Sequence, residues 1–201
     1  MDKEYWEKYY ENHNEPFKPS SFAQDISCYL EEGKSIIDLG CGNGRDTIIF
    51  GYKLKSVGVD QCQNIVETLN GLVKFKDNLK CSFKCGDFTN LEDDIYDYAY
   101  SRFTLHSITE KQEDDVIDWV FRNIRCYFFI EVRSDQDELV GKSTDHYRRF
   151  VNMENLLTKL IDKGFKIRYA EIDKGFSRYE NGYNVDYNSD DPKLIRIIAS
   201  K

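Results

Sequence analysis

Aspartates at three strand ends, a run of alternate glycines and two histidines are the residues here that could do chemistry. Asp38 precedes Gly40, Gly42 and Gly44 in the run Ser35-Ile36-Ile37-Asp38-Leu39-Gly40-Cys41-Gly42-Asn43-Gly44-Arg45-Asp46. Asp60 closes Ser56-Val57-Gly58-Val59-Asp60, and Asp87 sits in Gly86-Asp87-Phe88. A carboxylate can pair with an ammonium, accept two hydrogen bonds from a ribose diol, or accept one from an exocyclic amine. Glycines spaced this way permit a tight turn and let a ligand lie against the backbone. His106 and His146 have side chains whose ordinary pKa suits proton transfer near neutrality. Arg133, Arg148 and Arg149 can each grip a planar oxyanion through two hydrogen bonds.

The glycine run separates two kinds of ligand. A dinucleotide fingerprint wants Gly or Ala at the third loop position, so that helix and strand pack closely. Counted from Gly40, that position holds the bulky Arg45. Asp38 at the strand end would repel a pyrophosphate and suit an ammonium. Asp60 is placed for a ribose. A ligand with an amino group and a ribose but no bridging phosphate is expected, and S-adenosylmethionine meets that description. Gly40, Cys41, Gly42, Asn43, Gly44 and Arg45 would form its cradle. Gln61 and Cys62, just past Asp60, fall near the adenine.

On Asp38-Leu39-Gly40-Cys41-Gly42-Asn43-Gly44, Asp60 and Gly86-Asp87-Phe88, the chain resembles the class I S-adenosylmethionine-dependent methyltransferases. The resemblance spans about residues 35–133. It implies that Asp87 accepts from the adenine amino group and that Phe88 covers the ring. It also implies that the segment before residue 34 is a helical lid, with Tyr10 touching cofactor and Ser21 touching substrate. A looser resemblance, carried by Arg133-Ser134 and by Asp145-His146-Tyr147-Arg148-Arg149-Phe150, is to small bacterial methyltransferases of capsule and cell-surface polysaccharide pathways.

These residues need a scaffold, and the hydrophobic pattern supplies one. Apolar, β-branched runs read as strands at 35–39, 56–60, 80–85, 95–103, 125–132, 165–172 and 194–199. Helices follow the glycine run (47–55) and the second strand (62–74). Thr109 with Gln112 makes a capping box that opens a helix to residue 123. A further helix at 152–163 stops at Gly164. Tyr5, Trp6, Tyr9 and Tyr10 recur in helical rhythm, Pro16 and Pro19 punctuate, and Ser20 or Ser21 caps a second helix running to about residue 32. Alternating strands and helices predict an α/β Rossmann-like fold. It has a seven-stranded, mostly parallel sheet, helices on both faces and an antiparallel C-terminal hairpin. One domain is expected over 1–201, with 1–33 as the lid and 34–201 as the core. The polar stretch 174–192 reads as a long loop.

Ligands gather beyond the carboxyl ends of the strands in open α/β sheets. Ser101, Arg102, Phe103 and His106 therefore fall where a transferable group would lie, with His106 as first candidate base and His146 as second. Arg133, Arg148 and Arg149, with His146, form a basic departure from a chain of net charge −8, and Tyr147 joins the three arginines as a candidate for substrate binding. They suggest an anionic acceptor: a phosphorylated, phosphoramidate-bearing or carboxylated sugar or nucleotide. Pairing with Asp135, Asp137 and Asp145 on the surface is the alternative.

The acidic balance disfavours nucleic acid, whose binding is driven by phosphate neutralisation. No apolar run reaches transmembrane length and no signal-peptide core follows Met1, so a cytoplasmic protein without a membrane partner is expected. The six cysteines include no Cys-x-x-Cys pair, and no metal is expected. The competing functions are a methyltransferase of proteins or nucleic acids, and a cofactor-binding module without catalysis.

Overall fold

The computed structural model describes residues 2–14, 18–138, 140–141, 146–176 and 191–201. Pro16, Lys142 and Asp145, and most of the 174–192 loop, lie outside the described residues. The strands are β1 (Ser35–Leu39), β2 (Lys55–Asp60), β3 (Cys81–Cys85), β4 (Tyr96–Arg102), β5 (Ile124–Arg133), β6 (Lys166–Asp173) and β7 (Leu194–Ser200). They form one sheet in the order β3-β2-β1-β4-β5-β7-β6. β1 to β5 run parallel, and β7 lies antiparallel between β5 and β6. The strand order reverses between β1 and β4, and that reversal opens a crevice at their carboxyl ends.

The period of two along the strands divides the core. Ile36, Tyr98, Tyr100, Phe129 and Ile198 pack with Phe22, Ile26 and Phe50. These last come from α2 (Ser21–Asp25), the 3-10 turn Ile26–Tyr29, and α3 (Arg45–Gly51). Ile37, Leu39, Ala99, Phe128 and Ile130 point the other way, against α5 (Glu110–Asn123) and α6 (Met153–Lys163). Each such side chain, fully buried, contributes about 1.5–3 kcal/mol. α4 (Gln63–Val73) covers β3 through Ile65, Leu69 and Phe83. α1 (Lys3–Asn12) crosses the sheet's end beside α4, with the Asn64 amide donating to the Glu7 carbonyl at 3.1 Å.

Local signals fall where the sequence puts them at most helix ends. Thr109 and Gln112 make the reciprocal capping box. Asn152 caps α6, which ends at Gly164. Ser20 caps α2 through the Ala23 amide. The helix expected to continue to residue 32 is shorter: it tightens into the 3-10 turn at Ile26–Tyr29. The Lys53 ammonium there takes the carbonyls of Ser27 and Leu30, which the helix would otherwise have left for the next turn.

Arg149 serves this fold rather than a ligand. Its guanidinium donates to the carbonyls of Ile108 (2.8 Å) and Leu105 (3.0 Å) and pairs with the buried Glu113. It thereby fixes the segment after β5 to the start of α5. Removing it strands two buried carbonyls and half of Glu113's partners, since Lys159 remains at 3.0 Å. Arg149→Ala should lower unfolding stability by about 2 kcal/mol, read as a fall in urea midpoint without a change in slope.

Candidate active site

The glycine bend between β1 and α3 holds the cleft open from below. Gly40 (φ 77°) and Gly42 (φ 53°) take left-handed backbone. A Cβ on Gly40 would stand 2.3 Å from the Thr104 methyl, and one on Gly42 would stand 2.5 Å from the Tyr10 hydroxyl. Their bareness lets the loop after β4 and helix α1 close over the bend. The amides of Gly40 and Cys41 both donate to the Val59 carbonyl, at 2.8 and 3.0 Å, which ties the bend to β2.

Carboxylates crowd this end. Asp38 is buried and accepts from the Thr47 hydroxyl at 2.6 Å. Burial pushes its carboxyl up to about 8, against the pull of Thr47. Asp60 accepts from the amides of Gly42 (2.9 Å) and Cys62 (3.0 Å), one on each oxygen. Burial raises it too, and those two amides work against the rise. Each oxygen keeps a second lone pair for a diol. Asp46 is also buried and accepts from the Ser20 amide (2.7 Å), the Ser20 hydroxyl (2.8 Å) and the Tyr100 hydroxyl (2.8 Å). A buried carboxylate with a single hydroxyl donor, beside a second one facing a bare backbone bend, fits an ammonium and a ribose. Asp38 would hold the amino end, Asp60 the ribose, and the buried Phe88 offers its ring to the base.

Cationic side chains line the cleft too. The Arg102 guanidinium is held by Glu131, whose oxygens take Arg102 Nε (2.8 Å) and Arg196 Nε (2.6 Å). It lies 4.3 Å above the Phe103 ring. Phe103 is the one non-glycine residue with positive φ among the described residues, at 57°. Such strain is concentrated at functional sites.

His106 is buried, and its Nδ1 receives the Arg133 amide at 3.4 Å. A nitrogen that accepts carries no hydrogen, so the proton of the neutral ring belongs on Nε2. Burial, then Arg133, Arg148, His146 and Arg149, hold its pKa well below the usual histidine range. His146 stacks on Tyr5 at 4.4 Å and receives Arg148 Nη2 at 3.0 Å on its Nε2.

These groups line one cleft of about 370 Å³. It brings together Tyr10, Asp38, Gly40, Cys41, Gly42, Asn43, Arg45, Asp60, Gln61, Phe88, Arg102, Phe103, His106, Arg133, His146 and Arg148. It leaves out others that the sequence put in the site. Gly44 starts α3, and Gly86 donates its amide to the Asp60 carbonyl. Cys62 supports Asp60 from beneath. Ser101 is wholly buried against the Thr104 hydroxyl.

Asp87 is exposed and turns one oxygen onto the amide and hydroxyl of its neighbour Thr89, at 2.9 and 2.8 Å. That local Asx turn competes for the carboxylate. Ser21 sits away from the cleft, donating to the Phe176 carbonyl and accepting from Arg196. Tyr147 lines a separate hollow with Asp2 and Gln112. Arg149 is the structural staple already described. Of the acids named in the alternative, Asp135 takes the Asn152 amide and Asp137 the Lys193 amide, and Asp145 lies outside the described residues.

Tyr5, Trp6, Tyr9, Asp46, Tyr100, Thr104 and Ser107 line the cleft without having been singled out. The aromatic rhythm of α1 carried a signal for the first three. Asp46 and Tyr100 carried none, because only the fold brings Ser20 between them.

A methyltransferase-domain family model matches residues 30–165. This chain belongs to that family. Its cofactor is S-adenosylmethionine, which the acids at the strand ends suit. The fold is shared with an S-adenosylmethionine-dependent methyltransferase from Methanosarcina mazei, with TM-score 0.71 and 20% identity over 88% of this chain and 96% of that one. It is shared also with the 1,6-didemethyltoxoflavin-N1-methyltransferase of Burkholderia thailandensis, solved with 1,6-didemethyltoxoflavin and S-adenosylhomocysteine. There the TM-score is 0.69 and the identity 16%, over 90% and 76% of the two chains. Among curated proteins the chain is 25% identical over 111 residues to the carboxy-S-adenosyl-L-methionine synthase of Idiomarina loihiensis. That match takes in 52% of this chain and 46% of the relative, so the chain spans about half the relative's length. Among the described residues no helix is long and apolar enough to cross a membrane.

Asp38 gives a test with opposite signs. Its folded carboxyl binds a proton up to about 8, whereas an unfolded aspartate lets it go near 3.9. Its contribution to stability is therefore complete below that unfolded value and is lost as pH rises toward 8. Asp38→Asn should leave the ligand-free protein about as stable as wild type at pH 4. At pH 8 it should be clearly more stable than wild type, by several kcal/mol, read by thermal melting. The same variant should lose roughly tenfold or more in S-adenosylhomocysteine affinity by calorimetry.

Proposed function

We propose that the protein transfers a methyl group from S-adenosylmethionine to a small anionic acceptor. The observation that carries this reading is that one cleft is lined by both kinds of charge, the acids Asp38, Asp46 and Asp60 and the guanidinium groups of Arg102, Arg133 and Arg148. When bound, S-adenosylmethionine supplies an electrophilic methyl group on a sulfonium. The protein's share is to hold donor and acceptor in line and to exclude water. Asp38 and Asp60 orient the first. Arg133 and Arg148 bind and orient the second, beneath the aromatic wall of Tyr5, Trp6 and His146.

A cleft of about 370 Å³ admits a small molecule rather than a polymer. The Burkholderia relative likewise carries a small molecule beside S-adenosylhomocysteine. Phosphorylated, phosphoramidate-bearing and carboxylated sugars or nucleotides, such as those that feed surface polysaccharides, match the charge. The site residues proposed are those that line the cleft. His106 enters them as a hydrogen-bond donor, since its accepting nitrogen is already used.

Arg148→Ala should raise the acceptor KM about tenfold or more, with S-adenosylhomocysteine affinity unchanged. Steady-state kinetics beside calorimetry check this, and an equal loss of both would count against the anion site. The single variant is the informative one, because Arg149 holds the fold.

A further inference from the structure

Among the described residues the cleft offers no base. The thiol of Cys41 and the phenols of Tyr10 and Tyr100 are pushed up, chiefly by burial, and keep their protons. On the reading above Asp38 and Asp60 are taken up by the donor's amino group and ribose, and Asp46 is held by Ser20 and Tyr100. The two imidazoles are each turned by a protein donor: the Arg133 amide fills His106 Nδ1, and the Arg148 guanidinium fills His146 Nε2. Each ring is left with an N–H and no lone pair free in its plane. The charged groups that face His106 are guanidinium groups, Arg133 on β5 and Arg148 and Arg149 on the segment after it, with the His146 ring among them and Arg102 on β4 beyond the Phe103 ring.

This wall also holds unused donors. The Ser107 hydroxyl is buried with no hydrogen-bond partner, and so is Nε of Arg148. Arg148 has no carboxylate partner among the described residues. A protonated amine would be repelled here. An alcohol would find nothing to take its proton.

We infer that the anionic group of the substrate is itself the methyl acceptor, an acid oxygen already ionised at neutral pH, gripped by Ser107, His106 and Arg148. This rests on the reading above and narrows it: the product is a methyl ester of a phosphorus or carboxylic acid. The acid oxygen forms the new O–C bond as the C–S bond breaks, and the electron pair of that bond stays on sulfur. One negative and one positive charge vanish together, and no proton moves. The sulfonium, held between Asp38 and Asp60, would otherwise face guanidinium groups. An anion between them satisfies both.

The test measures anion binding rather than turnover. The protein is saturated with S-adenosylmethionine or, separately, with S-adenosylhomocysteine, and titrated by calorimetry with inorganic phosphate and with acetate. An anion in contact with the sulfonium should bind at least about fivefold more tightly to the first complex, because only that one carries the positive sulfur. Ser107→Ala should weaken that binding about tenfold and leave S-adenosylhomocysteine affinity alone. Nitrogen-15 spectra should show His106 as a neutral ring with its proton on Nε2 from pH 6 to 8. Equal anion affinity in the two complexes, no anion binding in either, or an imidazolium at His106 titrating near neutrality would each overturn the inference. Absence of S-adenosylhomocysteine binding would instead remove the cofactor reading beneath it.

Discussion

A carboxylate withdrawn from water with no ammonium or guanidinium in contact is costly, and β1 ends in one. Asp38 is buried beside a bend of bare backbone, with the Thr47 hydroxyl as its hydrogen-bond donor. Desolvation of this kind favours the neutral acid until a cation arrives. The surrounding structure exists to hold that arrangement. The bend is anchored to β2 by the Val59 carbonyl, and its Gly42 amide is turned onto Asp60. The loop is clasped from outside by Ser20, Asp46 and Tyr100. Destabilisation of the empty site and affinity for an amino group are two sides of one contact.

Elsewhere in the cleft the same logic runs with the sign reversed. Arg102 is fixed by Glu131, which also takes its cross-strand neighbour Arg196 on β7, and Arg196 in turn grips Asp25 at 2.7 Å. The network links the cleft to α2, so the guanidinium plane over Phe103 is set by elements that share one face of the sheet. Buried pairs of this kind add little net stability but fix geometry once every partner is in place. Arg148 differs in kind: its guanidinium donates to the His146 imidazole at 3.0 Å and has no carboxylate partner among the described residues.

The neutral imidazoles follow from that surplus of positive charge. A histidine beside guanidinium groups and out of water does not hold a proton, and a donor from the main chain or from Arg148 takes its lone pair. Residue type alone had made His106 and His146 the natural bases. Their surroundings make them donors.

Much was legible along the chain. The apolar, β-branched run Ile36-Ile37-Asp38-Leu39, the glycine run, the second acid at Asp60 and the capping box at Thr109 are local patterns, set by strand composition and by turn and capping chemistry. They were enough for the order of elements, the parallel sheet with its antiparallel end, and the cofactor. What the chain could not disclose depends on contacts between distant residues. Arg148 and Arg149 are neighbours of one type, yet one faces the cleft and the other is anchored to Glu113, because the Arg149 amide is tied to the His106 carbonyl and its guanidinium meets the Ile108 and Leu105 carbonyls. Asp87 and Asp60 both follow parallel strands, but a threonine two residues on turns the first away. Asp46 joins the other acids only because Ser20 and Tyr100 come together across the fold. Local order sets which elements form, whereas the facing of a charge is settled by what lies opposite it, and only the folded chain brings that into place.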